Sequence, residues 1–137
     1  MRFLHISTFI IVIVLTAFSC QKPATSVAGK GGSANVTVSI KHHGTARNLY
    51  KCKVYIKYNT VETPPNGIYD DSLTTNSADT MQTAVFSGLK NGNYYLYAYG
   101  CDTSIFQHVD GGLPYTISSQ SNLSDNLPVT EHGLPCN

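Results

Sequence analysis

Tyr50-Lys51-Cys52-Lys53-Val54-Tyr55-Ile56-Lys57-Tyr58 is the stretch that decides the fold class. Tyr50, Cys52, Val54, Ile56 and Tyr58 alternate with Lys51, Lys53, Tyr55 and Lys57, the period-two pattern of a strand with one dry face and one wet face. No segment after residue 20 carries helical periodicity. Upstream, Val36, Val38 and Ile40 alternate with Thr37, Ser39 and Lys41, and His42-His43-Gly44 begins the turn between these two strands. Downstream, residues 59–79 read as a long loop around Pro64-Pro65-Asn66-Gly67, with a short edge strand near Ile68 and Tyr69. Strands follow at about 81–86 and 94–101. Shorter ones are expected around 104–109, 113–118 and 126–130, divided by Gly111-Gly112 and a Ser/Asn-rich stretch. The expectation is an all-β chain forming a single antiparallel seven-stranded Greek-key β-sandwich.

The N-terminus has a separate meaning. Arg2 precedes an uncharged, mostly apolar run, Phe3 to Phe18, and then Ser19-Cys20. That is a signal-peptide layout, and the run is slightly short of the roughly 20 apolar residues a spanning helix needs. Ala17-Phe18-Ser19-Cys20 resembles a lipobox in the relaxed form of Bacteroidetes-type lipoproteins, which implies lipidation of Cys20 by three acyl chains. Ala17 and Ser19 equally satisfy ordinary signal peptidase, which would leave Cys20 merely as the first residue. The division expected is a signal at 1–19, a flexible tether at 20–35 rich in Gly, Ser, Ala and Thr, and the β-domain at 36–137.

Charge is asymmetric: residues 20–58 hold seven bases and no acid, while 59–137 hold eight acids and one base, Lys90. Interleaving of the halves within one fold would neutralise both; a basic strand face towards anionic lipid is the functional counterpart. A near-neutral exported chain without a nucleic-acid motif excludes nucleic acid as a partner. Cysteine use suits an oxidising compartment. With Cys20 lipidated, Cys52, Cys101 and Cys136 allow one bridge and one spare thiol. Cys52 shares a face with Val54 and Ile56, Cys101 aligns with Tyr95, Tyr97 and Tyr99, and a bulge at Gly100 would reverse that facing. The pairing stays open.

Ala84-Val85-Phe86-Ser87-Gly88-Leu89-Lys90-Asn91-Gly92-Asn93-Tyr94-Tyr95-Leu96-Tyr97-Ala98 resembles the F-x-G-L-x-x-G-x-Y-x-L-x-A signature of carboxypeptidase regulatory-like domains, members of the transthyretin-like (prealbumin-like) sandwiches. The resemblance implies that Tyr94, Leu96 and Ala98 point inward and that the domain is an accessory, adhesive or ligand-presenting module rather than an enzyme. Tyr95, Tyr97 and Tyr99 then form a row on the other face. Such a row stacks on sugar rings or docks a protein, unless the loop or lysine stems cover it.

Other chemistry is sparse. His42 and His43, being adjacent, would face opposite ways on a strand and could not chelate together. His108 and Asp110 share a face, with Asp102 near in sequence and His132 as a further ligand, but in no established metal spacing. Asp70-Asp71 with Asn66 and Asp79 lacks the alternation of a calcium loop. No nucleophile motif is present. The reading is a non-catalytic envelope lipoprotein, lipid-anchored to a membrane (the outer membrane, facing the periplasm), needing no cofactor and binding or scaffolding an envelope protein or a glycan. The alternatives are a carbohydrate-binding module on Tyr95, Tyr97 and Tyr99, and a small metal-dependent hydrolase on His108, Asp110 and Asp102.

Overall fold

The structure is a computed structural model that describes residues 27–75 and 81–136. The signal segment and Cys20 lie outside the described residues, as do Lys22 and Asp79. Seven strands and no helix occur among the described residues: β1 (Lys30–His42), β2 (Leu49–Tyr58), β3 (Asp71–Thr74), β4 (Thr83–Leu89), β5 (Gly92–Asp102), β6 (Gln107–Ile117) and β7 (Asn122–Pro135). They hydrogen-bond in the order β3-β2-β5-β6-β7-β1-β4.

The all-β expectation and the strand count hold, but the sheet is mixed. β1 runs parallel to β7, from Asn35 opposite Asn122 to His42 opposite Val129, while every other pair is antiparallel. β7 changes partner along its length, pairing with β1 through Val129 and then with β6 at Thr130 and Glu131. The two edges approach each other. Thr75 donates its amide to Cys52 O at 3.0 Å, Ile40 donates to Gln82 O at 3.0 Å, and the Thr75 hydroxyl bonds the Gln82 side chain. The sheet is therefore curled almost into a barrel.

One core fills it. Val36, Val38 and Ile40 of β1, Phe86 of β4, and Leu127 and Val129 of β7 meet Val54 and Ile56 of β2, Leu96 and Ala98 of β5, and Val109 and Ile117 of β6. Each large aliphatic side chain so buried contributes about 1.5–3 kcal/mol. Tyr94 is fully buried, and its hydroxyl is satisfied by donating to Lys90 O at 2.7 Å and accepting from Gly29 N at 3.0 Å. A tyrosine can sit in this core because those two backbone groups meet its polar end.

Four local expectations are corrected. β1 begins at Lys30, not Val36, so residues 30–35 belong to the sheet and not to the tether. Their small residues permit close packing: a Cβ on Gly32 would lie 2.0 Å from Leu89 O. Gly111-Gly112 does not divide two strands but lies within β6, where a Cβ on Gly111 would meet Pro128 O at 2.0 Å and one on Gly112 the Tyr95 hydroxyl at 1.8 Å. These glycines mark close approach rather than a turn. The edge strand sits at Asp71–Thr74, just after Ile68 and Tyr69. Finally, the bulge is in β2, not at Gly100. Tyr50 opposes Cys101 and Lys53 opposes Tyr99, one extra residue on β2, with Lys51 at φ 52°. The bulge turns Tyr50 outward and puts Leu49 in the core.

The same bulge bears on the disulfide. β5 and β6 stay in continuous register through Cys101, so Cys101 keeps the tyrosine face and cannot reach Cys52 on the core face. It is bonded to Cys136, and Cys52 is the buried free thiol. Burial pushes the Cys52 thiol up to about 11, against a lowering hydrogen bond from Thr75.

Candidate functional site

Two places on this scaffold collect chemistry, one on the outer face of the sheet and one at its end. On the outer face, β2 and β5 set Tyr55 opposite Tyr97, and the loop between β2 and β3 brings Tyr69 over both. Ring centroids are 5.2 Å apart for Tyr55–Tyr69, 6.1 Å for Tyr55–Tyr97 and 5.6 Å for the stacked pair Tyr69–Tyr97. Tyr99 continues the row, stacked on His108 at 5.0 Å and still 38 % exposed. A cleft of about 410 Å³ opens there, lined by Tyr55, Thr63, Gly67, Tyr69, Tyr97 and Tyr99. Burial and the charge of Asp110 push the Tyr97 phenol well above its ordinary pKa, so it remains a neutral hydroxyl.

Of the three tyrosines expected in a row, Tyr97 and Tyr99 line the cleft. Tyr95 instead sets the hydroxyl end of its ring over Gly112 and accepts a 2.8 Å hydrogen bond from Thr63 of the covering loop. Tyr55 and Tyr69 were missed. Tyr55 reads as an outward residue among lysines, and Tyr69 reaches the face only because the loop folds back. Tyr94, Leu96 and Ala98 are buried, as the signature implied.

At the end of the sheet, His42 closes β1 and His43-Gly44 forms a two-residue turn, with His42 N bonded to Thr45 O at 2.9 Å and Thr45 N to His42 O at 3.0 Å. Both central residues have positive φ, 49° and 76°, as in a type I′ turn. The left-handed backbone swings the His43 ring alongside His42, centroids 4.5 Å apart, and so overturns the expectation that the two face opposite ways. Glu131, beyond the point where β7 leaves β1, completes the group. His42 donates from Nδ1 to Asp102 at 2.7 Å and from Nε2 to Glu131 at 2.8 Å, and His43 Nε2 donates to the same Glu131 oxygen at 2.7 Å. Asp102 is 1 % exposed and is fixed further by the Ser104 amide at 2.9 Å and hydroxyl at 2.6 Å.

Electrostatics follow from that arrangement. Burial works against the His42 imidazolium, but Glu131 and Asp102 outweigh it and raise its pKa. Burial likewise opposes ionisation of Asp102, yet Ser104 and His42 hold its carboxyl below the usual range. Hydrogen bonds from His42 and from His43 keep the Glu131 carboxyl down at about 2. Among the described residues, His42, His43 and Glu131 are the group able to hold a metal ion, with ligand atoms within 4.8 Å of one another.

The hydrolase set does not assemble. Asp102 is committed to His42, His108 stacks on Tyr99 with its Nδ1 buried and unpartnered, and Asp110 accepts from His132 Nε2 at 2.7 Å. The acidic residues of this loop pair with lysines: Asp70 with Lys57 at 3.0 Å and Asp71 with Lys30 at 2.9 Å. Bases of the first half thus meet acids of the second, the neutralising arrangement that the charge pattern suggested. No family model, curated protein or solved structure matches the chain.

Proposed function

We propose that this protein is a non-catalytic binding module of the cell envelope, held to a membrane through a lipid on Cys20, and that its tyrosine cleft takes a sugar ring. The observation that carries the reading is the open cleft between Tyr55, Tyr69, Tyr97 and Tyr99. Its size falls within the roughly 300–1,000 Å³ of small-molecule sites. Aromatic faces suit the apolar face of a pyranose, and the phenol hydroxyls with Thr63 supply hydrogen bonds to its edge. The finer fold reading, a transthyretin-like Greek-key sandwich of the carboxypeptidase regulatory-like kind, is supported by the inward Tyr94, Leu96 and Ala98, and it fits an accessory role. Fold alone does not choose the ligand.

A glycan array probed with wild type and with Tyr97→Ala tests the cleft. Tyr97 lies on the outer face, so the variant should stay folded and lose about tenfold or more in affinity for any glycan bound by wild type. Equal binding by the two proteins would remove the cleft from consideration. A protein partner captured by envelope crosslinking, and indifferent to added sugars, would favour scaffolding instead. The anchor has its own test. Cys20→Ser should move the protein from the membrane to the soluble fraction, and persistence on membranes in high salt would rule out lipidation as the anchor.

A further inference from the structure

We propose that His42, His43 and Glu131 form a binding site for one divalent transition-metal ion of the zinc class. The site is independent of the tyrosine cleft and lies at the far end of β1 from Val27. Over the 13 residues of β1, a strand rise of about 3.3 Å per residue separates the two ends by roughly 40 Å.

Two imidazoles and one carboxylate are the donor set of three-ligand zinc sites, which keep one position open for water or another ligand. Imidazole with carboxylate selects zinc, copper or nickel over calcium and magnesium, which prefer all-oxygen sites. The three donor atoms already converge, with both Nε2 atoms within 2.8 Å of the same Glu131 oxygen. Tetrahedral bonds of about 2.0–2.1 Å need adjacent donors roughly 3.3 Å apart. Each ring therefore has to open from Glu131 by about half an ångström, while the two nitrogens, within 4.8 Å of one another, settle to the same spacing.

Three further features distinguish this cluster from a chance meeting of surface charges. Asp102 takes Nδ1–H of His42, which leaves Nε2 as the ligand atom and fixes the ring; this is the carboxylate–histidine–metal relay of known sites. Asp102 is itself fixed by Ser104. His43 holds a positive φ, a conformation that costs a non-glycine residue energy and that here turns its ring towards its neighbour. His42 is buried, whereas the His43 and Glu131 side chains are 62 % and 40 % exposed, so an ion can enter from solvent. On binding, His42 releases its Nε2 proton to solvent and keeps its Nδ1–H on Asp102, His43 ligates through Nε2 as the neutral Nδ1–H tautomer, and Glu131 binds as the carboxylate.

The test uses untagged, chelator-stripped protein titrated with Co²⁺ and then Zn²⁺, followed by calorimetry and by cobalt visible absorption. One equivalent of Co²⁺ should bind with a tetrahedral or five-coordinate spectrum and be displaced by Zn²⁺. His43→Ala and Glu131→Gln alter exposed side chains and should fold, as circular dichroism will check, yet each should weaken binding at least tenfold. Asp102→Asn should weaken it about 10–100-fold, the range for an outer-shell partner. His132→Ala should bind as wild type does. Absence of saturable binding by wild type overturns the proposal, and so does binding that survives both His43→Ala and Glu131→Gln.

Discussion

Gly111→Ala is expected to destabilise the protein by about 3 kcal/mol or more, at the upper end of what overpacking costs. For a domain of about 100 residues that corresponds to a fall of roughly 15 °C in melting temperature. The cause is local and specific. The added methyl would lie 2.0 Å from Pro128 O and 3.0 Å from the Val129 Cα, and both are backbone atoms of β7. They sit where β7 is leaving β1 for β6, so relief would require prying apart the strand that joins those two neighbours. Two other glycines supply the comparison. In Gly112→Ala the obstacle is the end of the Tyr95 ring, its hydroxyl at 1.8 Å and Cζ at 2.4 Å. That side chain can turn aside by giving up its Thr63 hydrogen bond, and the loss should be smaller, about 1–2 kcal/mol. At Gly133 nothing lies within 4 Å and only the φ of 71° opposes a side chain, so alanine there should cost about 1–2 kcal/mol. Thermal denaturation of the three variants decides the order. A Gly111→Ala protein that melts with the other two would mean that β7 does not cross β6 at this point.

Removing the disulfide should be comparably damaging. The bond joins Cys101 to Cys136 across 35 residues, and for a closed loop of that length chain entropy predicts about 4 kcal/mol. That is a large share of the roughly 5–15 kcal/mol stability of a typical domain. Cys101→Ser, Cys136→Ser and treatment of wild type with reductant should shift the urea midpoint by the same amount, since each removes one cross-link. Alkylation identifies the thiols. In native, unreduced protein Cys52 should resist iodoacetamide, being buried and held protonated to about pH 11, and should react only on unfolding. Rapid native labelling of Cys52, or a midpoint indifferent to Cys136→Ser, would contradict the pairing.

What could be read in the sequence follows from the range over which each signal acts. Alternation is local, so Val36–Ile40 and Tyr50–Tyr58 disclosed their strands, and the signature from Ala84 to Ala98 disclosed its inward residues. Misreadings arose where a distant segment sets the local geometry. Gly111-Gly112 carries the composition of a turn, and only the approach of Pro128 and Tyr95 explains glycine inside a strand. Lys51 bears no mark of a bulge. Parallel pairing of β1 with β7 leaves no trace in either strand, because alternation is the same whichever way a neighbour runs. The histidine cluster was half legible: His43-Gly44 is a fair signal for a type I′ turn, and such a turn would have undone the argument that the rings diverge. Glu131 belongs to no motif and is brought in by strand register alone. Tyr55 and Tyr69 became part of the cleft through the loop, whose path no pattern encodes.

The pairing of the first strand with the last also sets the order in which this chain can be finished. Whichever machine releases it, from ribosome or translocation pore, delivers β1 early, and the partner that covers its parallel edge follows 87 residues later, as the Asn35–Asn122 contact measures. Until then β1 has an open edge and an apolar face, so no N-terminal fragment can complete the core. A nascent chain of this design stays unfolded and threadable until β7 has emerged. Folding should then be slow, as for other chains dominated by distant contacts. A product truncated before residue 122 would be left with a bare strand edge, and would be a natural target for aggregation or proteolysis.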